Sequence, residues 1–241
     1  MNVQRYARVA GLLFLISMVA GGIGEAYVPA KIIVSGDPAA TVANIASHNL
    51  LYRIGFATFL IESFCDVTLA LIMYALLKPV NRQLSLLAAF FGLMATATFA
   101  FAELFYFAPT IMSAPYLKTF SPEQLNALVL LSLKFYGYAG MIFTGYYGIA
   151  WLMRSYLIWK STFLPKFLGV LMGLGGLGFL LRNIAMILAP QYAYDIFLML
   201  MFPGGLAMTI WFLVKGVDGP KWNASAGVTT SQIQGAGNLL T

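Results

Sequence analysis

The chain has 241 residues, 61% of them hydrophobic and 9% charged, and its mean hydropathy is +0.84. Average globular domains carry about 25% charged residues, so this chain cannot solvate a water-facing surface, which excludes an ordinary soluble domain, a disordered chain and a nucleic-acid binder. The formal charge of +6 reads as a record of membrane orientation, and one Cys with one His leaves neither a disulfide framework nor a Cys- or His-rich metal site.

A membrane-spanning helix needs about 20 apolar residues. Six stretches qualify, at about 9–28, 52–77, 84–108, 127–153, 167–189 and 194–214. The first follows Arg5 and Arg8 and ends on Val28-Pro29-Ala30, which resembles a signal-peptide cleavage site. Its apolar run is longer than a signal-peptide core, so it is read as a retained helix. Asp37-Pro38 is a good N-cap and first residue for a short surface helix over about 38–48. Lys78-Pro79-Val80-Asn81-Arg82 forms a tight turn, and Ser121-Pro122-Glu123-Gln124 carries a capping box before the fourth span. Arg154 to Lys166 reads as an aromatic, basic connection. Residues 1–215 thus form one domain, and the polar stretch 216–241 reads as a mobile tail.

Nine basic residues (Arg5, Arg8, Lys78, Arg82, Arg154, Lys160, Lys166, Lys215 and Lys221) fall on one side of these spans, whereas the loops of the other side hold only Lys31 and Lys118. The expectation is an all-α polytopic membrane helix bundle of six transmembrane helices, with both termini cytoplasmic.

Ionisable residues inside a membrane bundle face its interior or a wet cavity. Counting at ~1.5 Å per residue from each helix's basic flank puts Asp66 ~18 Å up and Glu25, Glu62 and Arg182 at ~24–26 Å. The same count puts Glu103, Lys134 and Asp195 at ~30 Å, with Arg53 higher still. The basic-side halves of all six spans carry no charge, so the sequence predicts an outward-facing polar cup over an apolar floor. Its candidate ligand-binding residues are Glu25, Arg53, Glu62, Asp66, Glu103, Lys134, Arg182 and Asp195. Glu62 and Asp66, at i and i+4, share a helix face, so mutual repulsion and desolvation favour a proton on one of them, Asp66 being the deeper. The alternative is structural, with Glu62 paired to Arg182 and Asp66 hydrogen-bonded to a neighbouring helix. Pro203-Gly204-Gly205 would interrupt the sixth span level with Asp66, as a broken transporter helix or as a packing kink.

Weaker signals accompany these. Gly169 and Gly173 allow a close helix approach, within the chain or in a homo-oligomer. Tyr136, Tyr138, Tyr146 and Tyr147 are candidates to line the cup, Cys65 reads as buried packing, and His48 lies near the outer rim. There is no His-Glu-x-x-His, Gly-x-Ser-x-Gly, Cys-x-x-Cys or phosphate-loop motif. No cofactor and no metal site is therefore expected, and the partners are the lipid bilayer and a small-molecule, ion or lipid ligand.

The stretch Arg8-Val9-Ala10-Gly11-Leu12-Leu13 resembles the opening of a bacterial multi-pass membrane protein family known as domain of unknown function 4386. The resemblance continues through Gly36-Asp37, Asn44-Ile45, Arg53, Asp66 and Leu76-Leu77-Lys78-Pro79-Val80-Asn81-Arg82. It resumes at Tyr156-Leu157-Ile158, Ser161, Phe163-Leu164-Pro165 and Leu168-Gly169-Val170. It implies a six-helix protein of the bacterial cytoplasmic membrane and brings no established activity. Three readings follow: a transporter-like or receptor-like binding site open to the outside, an integral-membrane enzyme acting on a lipid or extracytoplasmic substrate, and a structural or accessory subunit.

Overall fold

The computed structural model describes residues 2–111 and 119–227. Lys118 and residues 228–241 of the expected tail lie outside them. Six helices are long and apolar enough to cross a membrane. These are α1 (Val3–Ile32), α3 (Asn49–Leu77), α4 (Arg82–Ile111), α5 (Pro122–Lys160), α6 (Lys166–Leu188) and α7 (Ile196–Val214). Two short helices complete the set, α2 (Pro38–Ser47) and α8 (Gly219–Ser225).

The caps are those the local chemistry demands. Asp37 accepts the Ala40 amide, Asn81 accepts the Leu84 amide, and Ser121 and Gln124 form a reciprocal capping box. Two boundaries differ from the sequence reading. Helix α5 does not stop at 153: no Gly or Pro intervenes before Ser161, and it runs on to Lys160. At 39 residues it is ~58 Å long, so its start projects well beyond a ~30 Å hydrocarbon layer. Helix α1 continues through Pro29 to Ile32 by way of a π-helical turn at Gly22–Tyr27.

The six long helices form a closed ring in the order α1, α3, α4, α5, α6, α7 and back to α1. Each packs along the next, and across the ring only α3 and α5 make a slight contact. Small residues permit the close seams. A Cβ on Gly11 of α1 would lie 2.8 Å from the Leu213 nitrogen of α7, and one on Gly204 of α7 would lie 2.8 Å from the Leu171 carbonyl oxygen of α6. Gly169 and Gly173 sit against Ser155 and Trp159 of α5 in the same way. This stripe, considered for a homo-oligomer, is therefore covered within the chain.

The half of the ring nearest the chain's N-terminus, here the basic end, is filled by apolar side chains reaching inward. Phe14, Leu69, Met73, Trp151, Phe179, Met208 and Phe212 are all buried there. At the distal end α2 spans from α1 to the projecting part of α5, and Ile45 packs with Val28, Tyr52, Tyr106 and Val129.

The interruption of α7 does not fall on Pro203, Gly204 and Gly205 themselves. The break falls at Leu200, one residue past the Met199 carbonyl that a donor at position 203 would have bonded, because Pro203 has no N–H. Part of the polar stretch expected to be a mobile tail is also ordered. Helix α8 folds under the basic end, where Trp222 is buried and its indole N–H donates to the Leu76 carbonyl at 2.8 Å. The Lys221 ammonium, 2.8 Å from Asp218, holds that carboxyl below the usual range.

If Trp222 anchors α8, Trp222→Ala lowers stability by about 3 kcal/mol through lost burial. Trp222→Phe keeps most of the area and loses about 1 kcal/mol with the hydrogen bond. Thermal unfolding in detergent should rank wild type above Trp222→Phe above Trp222→Ala.

Candidate functional site

The structure divides the eight sequence-predicted residues into two groups of four. Glu25, Glu62, Asp66 and Glu103 converge inside the ring, whereas Arg53, Lys134, Arg182 and Asp195 lie apart from them.

The convergence begins with α1. Its π turn carries Glu25, and the glycines before it bring α1 close to α3. A Cβ on Gly21 would lie 3.1 Å from both carboxylate oxygens of Glu62, and one on Gly24 would lie 2.6 Å from Thr58 Oγ1. Glu25 and Glu62 therefore lie side by side across the α1–α3 seam. Two carboxylates offer each other only acceptors, so a proton or a cation between them would relieve the contact. Glu62 Oε2 is buried without a hydrogen-bond donor.

One turn toward the basic end, Asp66 accepts the Ser17 hydroxyl of α1 at 3.1 Å, the bond to a neighbouring helix that the structural alternative held for it. On the other side, Glu103 of α4 is 3% exposed. The Tyr136 hydroxyl of α5 reaches it, while its Oε2 is buried and unpartnered. The hydroxyl of the neighbouring, fully buried Tyr106 is unpartnered as well. Burying a polar group without a partner costs on the order of 1–3 kcal/mol, so three such atoms along one chamber mark it as a place for a ligand or water.

Glu25 is exposed, and Glu62, Asp66, Tyr136 and Tyr147 are half-exposed. A six-membered ring with little contact across it leaves room for these side chains near its axis. Facing the carboxyl groups is a file of aromatic rings. It runs Tyr52, Tyr106, Tyr136, Phe99, Phe143, Tyr147 and Trp151, with successive centroids 4.5–6.1 Å apart. Two surface clefts, of about 450 Å³ beside Trp211 and Lys215 and about 370 Å³ on the outer face of α3 and α4, contain none of the four carboxyl groups.

The sequence reading missed Arg154. It sits six residues inside the end of α5, ~9 Å from that end, and is 4% exposed. The basic-end half of the ring therefore carries a charge that the expectation of an uncharged floor did not include. Its guanidinium occupies a niche left by Gly92, where a Cβ would lie 2.8 Å from Nη2. It lies within electrostatic range of Asp66 and Tyr147, outside ion-pair contact. Ser17 was missed too. The uninterrupted helical pattern through Trp159 was the available signal for Arg154, and nothing local marked Ser17.

The remaining four residues belong to the distal surface. Arg182 pairs with Asp195 (Nη2–Oδ1 3.0 Å) and not with Glu62 as the structural alternative held. Arg53 donates to Asn49 at 2.7 Å and lies over the Phe107 ring at 5.6 Å. Lys134 is exposed. These bases are held elsewhere, so the chamber is more acidic than the five acids and three bases first assigned to it. Among the described residues, no three His, Cys, Asp or Glu side chains gather at metal-binding spacing.

Comparison with known proteins agrees with this architecture. Residues 9–216 match the family model described as Domain of unknown function (DUF4386), and the chain belongs to that family. It is similar to an uncharacterized protein of Archaeoglobus fulgidus, 26% identical over 151 residues that cover 63% of this chain and 76% of the relative. That relative is archaeal, so a bacterial source does not follow from the resemblance. No solved structure matches.

Gly92→Ala drives a methyl group into the Arg154 guanidinium, and overpacking of this kind costs about 1–3 kcal/mol. In an Arg154→Gln background the shorter side chain frees the niche. A double-mutant cycle on thermal unfolding should then show most of the Gly92→Ala cost removed.

Proposed function

We propose that this protein binds a cation in the chamber formed by Glu25, Glu62, Asp66 and Glu103, and that the cation and a proton displace one another there. The reading is transporter-like. The observation that carries it is the proximity of Glu25 and Glu62, with buried carboxyl oxygens on Glu62 and Glu103 that lack a hydrogen-bond donor. A carboxyl pair that meets through one proton holds a charge that an arriving cation can replace, because the proton leaves as the cation settles. Carboxyl groups placed in sequence through a membrane bundle are the usual material of proton relays. Here they run from Glu103 through Glu25 and Glu62 to Asp66, with Arg154 at the basic end.

The chemistry of the wall selects the sign of the ligand. Four carboxyl groups share the chamber with a single buried guanidinium, Arg154 near Asp66, and Tyr136 adds aromatic surface of the kind that attracts cations. An enzyme gripping an anionic lipid head group would need Arg53 and Arg182 at the chamber, and both are engaged at the distal surface. The apolar plug of Phe14, Met73, Trp151 and Phe212 closes the basic end, so carriage across the membrane requires a second state in which that plug opens. By the positive-inside rule the basic end is cytoplasmic, and the chamber belongs to the outer half of the membrane.

Tetraphenylphosphonium serves as the probe cation. Added to purified protein in weakly buffered detergent, it should release about one proton for each cation bound, and binding should weaken as the pH falls because protons compete for the same groups. Glu62→Gln should abolish both binding and proton release while leaving thermal unfolding unchanged. Glu25→Gln, which preserves the side-chain contact, should do the same. Binding without proton release, or full binding by both variants, would overturn the proposal.

A further inference from the structure

The seam between α1 and α7 does not run the length of the helices. It is carried by Val3–Gly21 of α1 and Met201–Val214 of α7. Gly11 packs on Leu213, and further along Met18 Sδ lies 3.7 Å from a Cβ built on Gly205. Met18 is 10 residues from Arg8, and Gly205 is 10 residues from Lys215, so both are ~15 Å from the basic flank. Beyond this level the two helices go separate ways. The π turn and Val28–Ile32 of α1 pack on α3 and α2, while Ile196–Met199 of α7 packs on α6. Glycines on α6 hold α7 on that side: a Cβ on Gly175 would lie 3.0 Å from the Met201 Cα, and Gly178 abuts the Phe197 carbonyl.

The parted stretch coincides in height with the carboxyl pair. Glu25 and Glu62 stand ~24–26 Å from the basic flank, about 10 Å beyond the Met18–Gly205 contact and still within a ~30 Å hydrocarbon layer. Glu25 lies on the parted stretch of α1 and is exposed. The borders of the opening are apolar, with Ile23 and Tyr27 on α1 and Ile196 and Met199 on α7 all exposed. Toward water at the distal end, α2 and the buried Tyr52–Tyr106 pair cover the chamber.

Resting on the reading of the chamber as a cation site, we propose that the parted α1–α7 seam is a lateral portal to the bilayer and that the ligand is an amphiphilic organic cation. Its charged group docks at Glu25 and Glu62 and its apolar body extends out through the parted seam, between the apolar outer faces of α1 and α7. A ligand dissolved in the lipid reaches the acids without crossing the α2 cover. A small hydrophilic cation has no such route and gains nothing from the apolar border.

Two probes of equal charge separate the possibilities, measured with the full chain in lipid nanodiscs after subtraction of empty nanodiscs. Tetraphenylphosphonium should bind at least about tenfold more tightly than tetramethylammonium, with the difference lost in Glu62→Gln. Equal, Glu62-dependent binding of both cations would show a chamber open to water, overturning the portal while the cation site stands. Binding that ignores both Glu62→Gln and Glu25→Gln would remove the cation site, and the portal with it. In wild-type protein, lengthening one alkyl chain of the tetramethylammonium probe should raise Glu62-dependent affinity stepwise, and a flat series would overturn the portal.

Discussion

A ring of six helices cannot fill its own centre with backbone. When neighbours pack about 9 Å apart, the axis of a regular hexagonal ring lies about 9 Å from every helix, which is room for a seventh. Among the described residues no seventh long helix enters it, and the slight contact between α3 and α5 flattens the ring without closing it. Whatever occupies the middle must therefore be side chains, water or a ligand. The two halves of the protein solve that problem differently, and the division of the molecule follows from it.

At the basic end the solution is size. Phe14, Trp151, Phe179 and Phe212 reach inward from four helices and meet, and α8 closes this end by pressing Trp222 against the last turn of α3. At the distal end the inward residues are carboxylic acids and tyrosines, which cannot pack to the same density without partners. The partners present are few: Ser17 for Asp66, Tyr136 for Glu103, and Glu25 and Glu62 for each other. A stability argument alone would replace such groups with leucine, since buried charged networks seldom repay their desolvation. Their retention in a chain with so few charges points to use, and the π turn that presents Glu25 belongs to a class of helix defect common at functional sites.

The sequence was most informative where the physics is one-dimensional. Span number depends on runs of apolar residues, and the caps at Asp37, Asn81 and Ser121 depend on two or three neighbours. The heights of Glu25, Glu62 and Glu103 followed from counting, and these side chains do meet. Azimuth was not legible. Arg182 and Glu62 share a height, yet Arg182 lies on α6 with Asp195 available at the start of α7, so the pair forms at the rim. Arg154 was hidden by a helix end placed about two turns too early. The π turn left no mark beyond three glycines, because the extra residue it accommodates is expressed only through contact with Gly55 and Thr58.

The same glycines explain how a chamber and an opening arise together. Gly24 and Gly55 draw the distal part of α1 toward α3, and Gly175 and Gly178 draw the distal part of α7 onto α6. Each approach gains close packing that a larger residue would forbid. Pulling two neighbouring helices in opposite directions around a ring must part the seam between them, and it parts where Leu200 breaks α7 and the π turn loosens α1. The acids at Glu25 and Glu62 stand at that level, so the packing that builds the site also sets the direction from which it is approached.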